Sequence, residues 1–428
     1  MIDLLVLAAV VFGFGLISRR LEGTIITAPL LFVVAGIVLG PAGFGVAEFA
    51  LDEHTVLLLG EIALAVVLFT DAAQTNLRTL RQNEALPLRL LGIGMPLTIA
   101  LGAGVAALLL TGLTFWEAAI VGTVLAPTDA ALGQPVVSNP RVPARIRQAL
   151  NVEAGLNDGL SVPFLALFLT LATAEEEHLS ASVWIRFALE QIGWGVLVGV
   201  GVGVVGGWLV SRALRRGWIT DSFQRLSLLV LAIIAWALAD TLGGNGFIAA
   251  FVGGLVIGPT VERVGERLIR FTEAEGQLLS LSVFFILGVI AAGLVRSLSW
   301  TIVLFALLSL TVIRMLPVAL ALLGTRLRAV SVLFAGWFGP RGLASVVLGL
   351  VVIEEAPLLA GRDEIELVVT LTVLLSVLLH GLTASPLSAA YARRIEGMAA
   401  DVPEKRNGVP SPAESPTATR TGKPEVGS

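Results

Sequence analysis

Residues 36–41, Gly36-Ile37-Val38-Leu39-Gly40-Pro41, return beyond the middle of the chain as Gly254-Leu255-Val256-Ile257-Gly258-Pro259. The two prolines stand 218 residues apart, and a second pair, Pro127 and Pro340, stands 213 apart. Around these markers, apolar runs of membrane-crossing length fall at 2–17, 25–46, 56–75, 88–110, 115–137, 149–173, 184–210, 223–242, 245–258, 277–295, 298–323, 329–352 and 365–391. Each proline pair is separated by seven runs, an odd number, so the two copies cross a bilayer in opposite directions. The expected fold is an all-α polytopic membrane protein of about 13 transmembrane helices. It is organised as inverted six-helix repeats, roughly 1–173 and 223–396, joined by a linker helix at 184–210.

Composition leads to the same class. The 428 residues are 56% hydrophobic and only 14% charged, and the mean hydropathy is +0.90. A soluble domain has closer to a quarter of its residues charged. The 46 glycines suit close helix packing in lipid, and the long unbroken runs argue against a β-barrel. With no cysteine there is no disulfide, thiol nucleophile or thiolate metal site, and the three histidines, His54, His178 and His380, lack ligand spacing. No P-loop, HExxH or GxSxG occurs, which removes support for ATP-driven transport and the common hydrolases. No cofactor and no nucleic-acid partner is expected.

Arginine places the loops. Alternate loops, together with Arg393 and Arg394 just after the last run, carry nineteen arginines, among them Arg141, Arg145, Arg147, Arg212, Arg215 and Arg216. The other loops carry three, Arg186, Arg296 and Arg362. This bias puts the N-terminus outside and the C-terminus in the cytoplasm. The transmembrane domain is expected over 1–396; residues 397–428, rich in Pro, Ser, Thr and Gly, read as a disordered cytoplasmic tail.

Charges inside the apolar runs are costly and mark function. They are Glu61 and Asp71 in the third run, Asp129 in the fifth, Glu153 and Asp158 in the sixth, Asp240 at the end of the eighth, and Arg314 and Arg341 in the eleventh and twelfth. Such acids form a cation or proton site, or in a blander reading pair with arginines to hold helices. Ala126-Pro127-Thr128-Asp129 and Gly339-Pro340-Arg341-Gly342 carry the breakers that would interrupt two crossing helices at mid-depth. Asp129 would then compensate positive helix ends and Arg341 negative ones; the alternative is a pair of simple proline kinks. Glu153 and Asn157 share a helix face, and Asp158 projects about 100° away.

These pieces resemble the NhaP-type sodium/proton antiporters, a branch of the monovalent cation/proton antiporters that includes the animal sodium/proton exchangers. The resemblance runs over about residues 5–395. It rests on Phe69-Thr70-Asp71-Ala72-Ala73, Thr128-Asp129, Glu153 through Asn157-Asp158, Gly339-Pro340-Arg341-Gly342 and His380-Gly381-Leu382-Thr383. It implies a homodimer in the plasma membrane (the inner membrane of a prokaryote) that exchanges Na+, or Li+ or K+, for H+ and serves pH homeostasis. Asp158 is implied as the residue taking either a proton or the cation, with Asp71, Thr128 and Asp129 completing the cation/proton site. Glu153 is implied to pair with Arg341, with Asn157 supporting the site and indicating the electroneutral branch. One departure is Ala154, where the family commonly has a serine whose hydroxyl meets the ion; water or Ser161 would have to substitute.

The mechanism expected is exchange by competition for one buried carboxylate, with a cation channel or an intramembrane aspartyl enzyme as the alternatives. Two further features stay open on sequence alone. Gly195, Gly199, Gly203 and Gly207 form overlapping GxxxG steps, for packing within the chain or for a dimer. His380 reads as a pH sensor or a packing histidine.

Overall fold

The computed structural model describes residues 2–21, 24, 26–41, 43–46, 53–74, 85–137, 139–176, 181–264, 267–294, 298–357, 359–398 and 402–405. They are helical throughout, with no strand among them. The first half holds α1 (Ile2–Leu21), α2 (Ala28–Leu39), α3 (Glu53–Gln74), α4 (Ala85–Arg89), α5 (Met95–Leu109), α6 (Phe115–Val124), α7 (Ala130–Val137) and α8 (Ala144–Glu176). The long α9 (Ala181–Arg215) follows. The second half holds α10 (Asp221–Thr241), α11 (Gly246–Val264), α12 (Arg267–Leu294), α13 (Trp300–Leu310), α14 (Val312–Ala321), α15 (Ala329–Trp337), α16 (Leu343–Glu355) and α17 (Arg362–Glu396). Seven helical stretches are long and apolar enough to cross a membrane, and five shorter apolar helices lie among them. All of them fall on the runs read from the sequence.

Local signals set several boundaries. Thr114 and Glu117 form a capping box at the start of α6, and the Ser299 hydroxyl accepts the Ile302 amide at the start of α13. Pro96 lacks the amide that would close onto the preceding turn, and there the helix widens to a π turn over Leu90–Gly94 between α4 and α5.

The repeated motif explains itself in the packing. α2 lies against α12, and a β-carbon on Gly36 would strike the Phe285 carbonyl. α11 lies against α3, and a β-carbon on Gly254 would strike the Phe69 carbonyl. Each copy therefore seats the second run of its own half on the third run of the other half, as an inverted repeat requires. The glycine ladder of α9 is taken up within the chain. Gly195 faces Asn245, just before α11, and Gly199 and Gly203 face Ala249 and Gly253 of α11, all at backbone contact, which decides for internal packing at these three positions.

Most of the segment expected as a tail lies outside the described residues. Residues 402–405 are ordered, however, with a single 3-10 turn, Pro403–Lys405, tucked under the bundle. The buried Glu404 carboxylate accepts the Arg328 amide at 2.8 Å and the Ser331 hydroxyl at 2.9 Å, capping the start of α15. Arg145 at the start of α8 donates to the Pro403 carbonyl at 2.9 Å. The expectation of disorder does not hold for these four residues, because one carboxylate meets a helix N-terminus that lacks its own cap.

Candidate ion-binding site at a helix crossing

α6 stops at Val124 because Pro127 has no amide with which to continue it, and the chain runs extended until α7 opens at Ala130. α15 likewise stops at Trp337, and α16 opens at Leu343 beyond Pro340. The two extended stretches lie side by side: the Asp129 amide donates to the Pro340 carbonyl at 2.7 Å. The reading of two broken helices thus holds over that of two kinks.

Four helix ends meet here, and their charges are compensated by side chains. The Asp129 carboxylate accepts the Leu132 amide of α7 at 2.9 Å with one oxygen and the Leu343 amide of α16 at 2.8 Å with the other. One anion therefore caps two positive helix ends, one from each half. Arg341, fully buried, donates to the Ala126 and Pro127 carbonyls at 2.7 and 3.0 Å, beyond the negative end of α6. The Ser345 hydroxyl donates to the Val124 carbonyl at 2.7 Å. Glycine is required twice: a β-carbon on Gly342 would overlap the Asp129 carboxylate, and one on Gly339 would overlap the Arg314 guanidinium.

α8 brings the remaining residues to the crossing. Asn157 donates through Nδ2 to the Thr128 hydroxyl at 2.7 Å, tying α8 to the break. Asp158 is 9% exposed, and its Oδ1 has no hydrogen-bond partner among the described residues; nor has the Oδ1 of Asn157. The acids whose charge reaches Asp158 are Asp129 and Asp71. Asp71 comes from α3, opposite Gly155 of α8. Ser161 donates to the Asp158 backbone carbonyl at 2.7 Å, so its proton is engaged within its own helix. A crevice lined by Thr128, Asp129, Leu150, Asn151, Ala154 and Pro340 reaches the crossing along α7, from the side of the turn at Arg141.

The structure corrects one expected contact. Glu153 pairs with Arg314 of α14, not with Arg341, through two hydrogen bonds of 2.5 and 2.9 Å, and both side chains are 2% exposed. Arg341 is directed instead at the carbonyls at the end of α6. Two arginines at mid-membrane were legible in the sequence; which one faces α8 follows only from the packing of α14 against α15. Of the other intramembrane acids, Glu61 lies about 15 Å from Asp71 along α3, and Asp240 is exposed at the end of α10. Neither joins the cluster. Sequence reasoning also passed over Ser345 and Ser376, small hydroxyls that carry no signal in an apolar run.

Two interrupted helices crossing between inverted halves, with acids of three spans converging on the crossing, define a secondary transporter of cations. The chain belongs to the family described as sodium/hydrogen exchanger, transmembrane, which its residues 6–390 match. It is 26% identical over 417 residues to the K+/H+ antiporter NhaP2 of Shewanella sp. (strain MR-4), covering 94% of this chain and 68% of that protein. An uncharacterised Na+/H+ exchanger of Mycobacterium bovis is 30% identical over 426 residues, covering 92% of this chain and 74% of that protein. The fold is that of the sodium proton antiporter MjNhaP1 from Methanocaldococcus jannaschii, with a TM-score of 0.73 at 20% identity over 90% of this chain and 97% of the other. The chain is thus a multi-pass cation/proton antiporter and not an enzyme.

Proposed function

We propose that this antiporter exchanges one monovalent cation for one proton at Asp158 by alternating access. The observation that carries the reading is that two buried oxygens on consecutive residues of α8, Asn157 Oδ1 and Asp158 Oδ1, have no hydrogen-bond partner among the described residues. A buried oxygen is costly unless something bonds to it, and at Asp158 either a proton or a desolvated cation meets that need. Asp71 and Thr128 supply further oxygens. Glu153 and Arg341 stay fixed through the cycle, one held by Arg314 and the other by two carbonyls. Asp129 acts here as the cap of two helices and not as a direct ligand.

Ala154 bears on which cation is taken. It lines the crevice beside Thr128 and offers no oxygen. A site poorer in oxygen returns less of the cost of stripping water from an ion, and that cost is lower for K+ than for Na+ or Li+. K+ is therefore the favoured substrate, with Na+ second. The arginine distribution supports an N-terminus outside and the crevice opening to the cytoplasm; the family resemblance supports a homodimer in the plasma membrane.

The test is dissipation of an imposed pH gradient in proteoliposomes on addition of K+, Na+ or Li+, with the membrane potential clamped or free. Cation-dependent proton movement that ignores the potential is expected; current without obligatory proton counterflow would make the protein a channel. Asp158→Asn should abolish exchange in a protein that still elutes and melts as folded. Exchange retained by that variant refutes the assignment.

A further inference from the structure

The motif His380-Gly381-Leu382-Thr383 has no part in the exchange chemistry described above, yet its polar side chains are aimed at the broken twelfth span. Ser376, His380 and Thr383 are four and three residues apart and so share one face of α17. His380 is fully buried, and its ring lies 5.0 Å from the Trp337 ring. Its Nε2 is 2.9 Å from the Trp337 carbonyl, the last of α15. The Trp337 indole donates to the Thr383 hydroxyl at 3.0 Å. The Ser376 hydroxyl accepts the Arg341 amide at 2.6 Å and lies 3.2 Å from His380 Nδ1.

The donors and acceptors order themselves. The Trp337 carbonyl can only accept, so Nε2 must carry a proton. In a neutral ring that proton leaves Nδ1 as an acceptor, and the Ser376 hydroxyl, whose oxygen receives the Arg341 amide, can give its own proton to it. Nδ1 also lies 3.0 Å from the Ser376 carbonyl, a contact that a second ring proton would satisfy. That proton would place an imidazolium in reach of the positive charge of Arg341, and of Arg314, whose charge is shared with Glu153. We propose that His380, as the neutral Nε2–H tautomer, is a positioning residue that clasps the end of α15 together with Ser376 and Thr383 and so fixes Arg341 at the helix crossing. The inference rests on the reading of that crossing as part of the ion site.

Only three histidines occur in the chain, so the ring is open to nitrogen NMR of 15N-histidine protein in bilayers, assigned by difference from His380→Gln. The expected spectrum has a protonated Nε2 and a bare Nδ1 throughout the pH range in which exchange is measured. An imidazolium, or a proton on Nδ1 with a bare Nε2, overturns the proposal. In transport, His380→Gln, whose amide can still donate to Trp337, should keep turnover within about threefold. His380→Leu should lose about tenfold or more in turnover while the apparent affinity for the cation moves less than about twofold. Full turnover in the leucine variant, or equal loss in both folded variants, overturns the donor role. If the leucine variant does not accumulate, Thr383→Val, which removes the bond to the Trp337 indole, is measured with the same expectation. If the unaltered protein exchanges no cation, the function reading fails, and the NMR result still decides the clasp.

Discussion

The pairing of Glu153 can be decided by measurement, because it offers two buried arginines and the structure chooses one. Glu153 and Arg314 share two charge-assisted hydrogen bonds with both side chains 2% exposed. Bonds of this kind contribute about 1.5–3 kcal/mol each, and removing one partner of a buried pair costs about 3–5 kcal/mol because the other is left charged. Glu153→Leu and Arg314→Met should each destabilise by that amount, whereas the double variant should recover much of it by burying apolar groups of similar size. The coupling between the two sites should then reach about 3 kcal/mol. Arg341 bonds to carbonyls and not to Glu153, so the Glu153–Arg341 coupling, carried by charge alone, should be clearly smaller than that with Arg314. Both cycles can be read from reversible unfolding in mixed micelles. A Glu153–Arg341 coupling equal to or larger than that with Arg314 would refute the geometry and restore the contact implied by resemblance.

Other substitutions probe the crossing, the ion and the tail. Gly342→Ala drives a β-carbon into the Asp129 carboxylate and should cost about 1–3 kcal/mol together with most exchange. Gly104→Ala, where no heavy atom lies within 4 Å, should leave both unchanged or slightly raise the melting temperature. Ala154→Ser returns a hydroxyl to the crevice wall and should shift apparent affinity toward Na+ and Li+ relative to K+, measured as half-saturating concentrations in the pH-gradient assay; an unchanged order would remove Ala154 from ion selection. Glu404→Ala removes the cap at the start of α15 and should lower stability by about 0.5–2 kcal/mol, read by thermal unfolding in detergent.

Much of this could be read from the chain because the membrane makes violations conspicuous. Proline and charge in an apolar run announce a break, and the signs of Asp129 and Arg341 already matched the helix ends they serve. Glu153 shows the limit. Its need for a cation follows from burial, but Arg314 and Arg341 meet that need equally well until α14 and α15 are packed. His380 was open between sensor and packing residue, and its two-sided contacts to Ser376 and Trp337 come only from the approach of α17 to α15. Glu404 was hidden for a different reason: in a segment whose composition is that of a solvated tail, a single carboxylate docked on a helix end carries no periodic signal.

The double cap on Asp129 has a consequence for biogenesis. The residue is made in the first half of the chain, but one of its two partners, the Leu343 amide, is synthesised more than two hundred residues later. Until that segment inserts, the broken fifth span lacks Arg341 and Ser345 against its carbonyls, and the Asp129 carboxylate lacks the Leu343 amide. Open backbone groups are not tolerated in hydrocarbon, so the nascent first half must hold water or a chaperoning protein at its centre. The crossing is therefore completed only when the second half of the chain is in place, and the two halves depend on one another to close it.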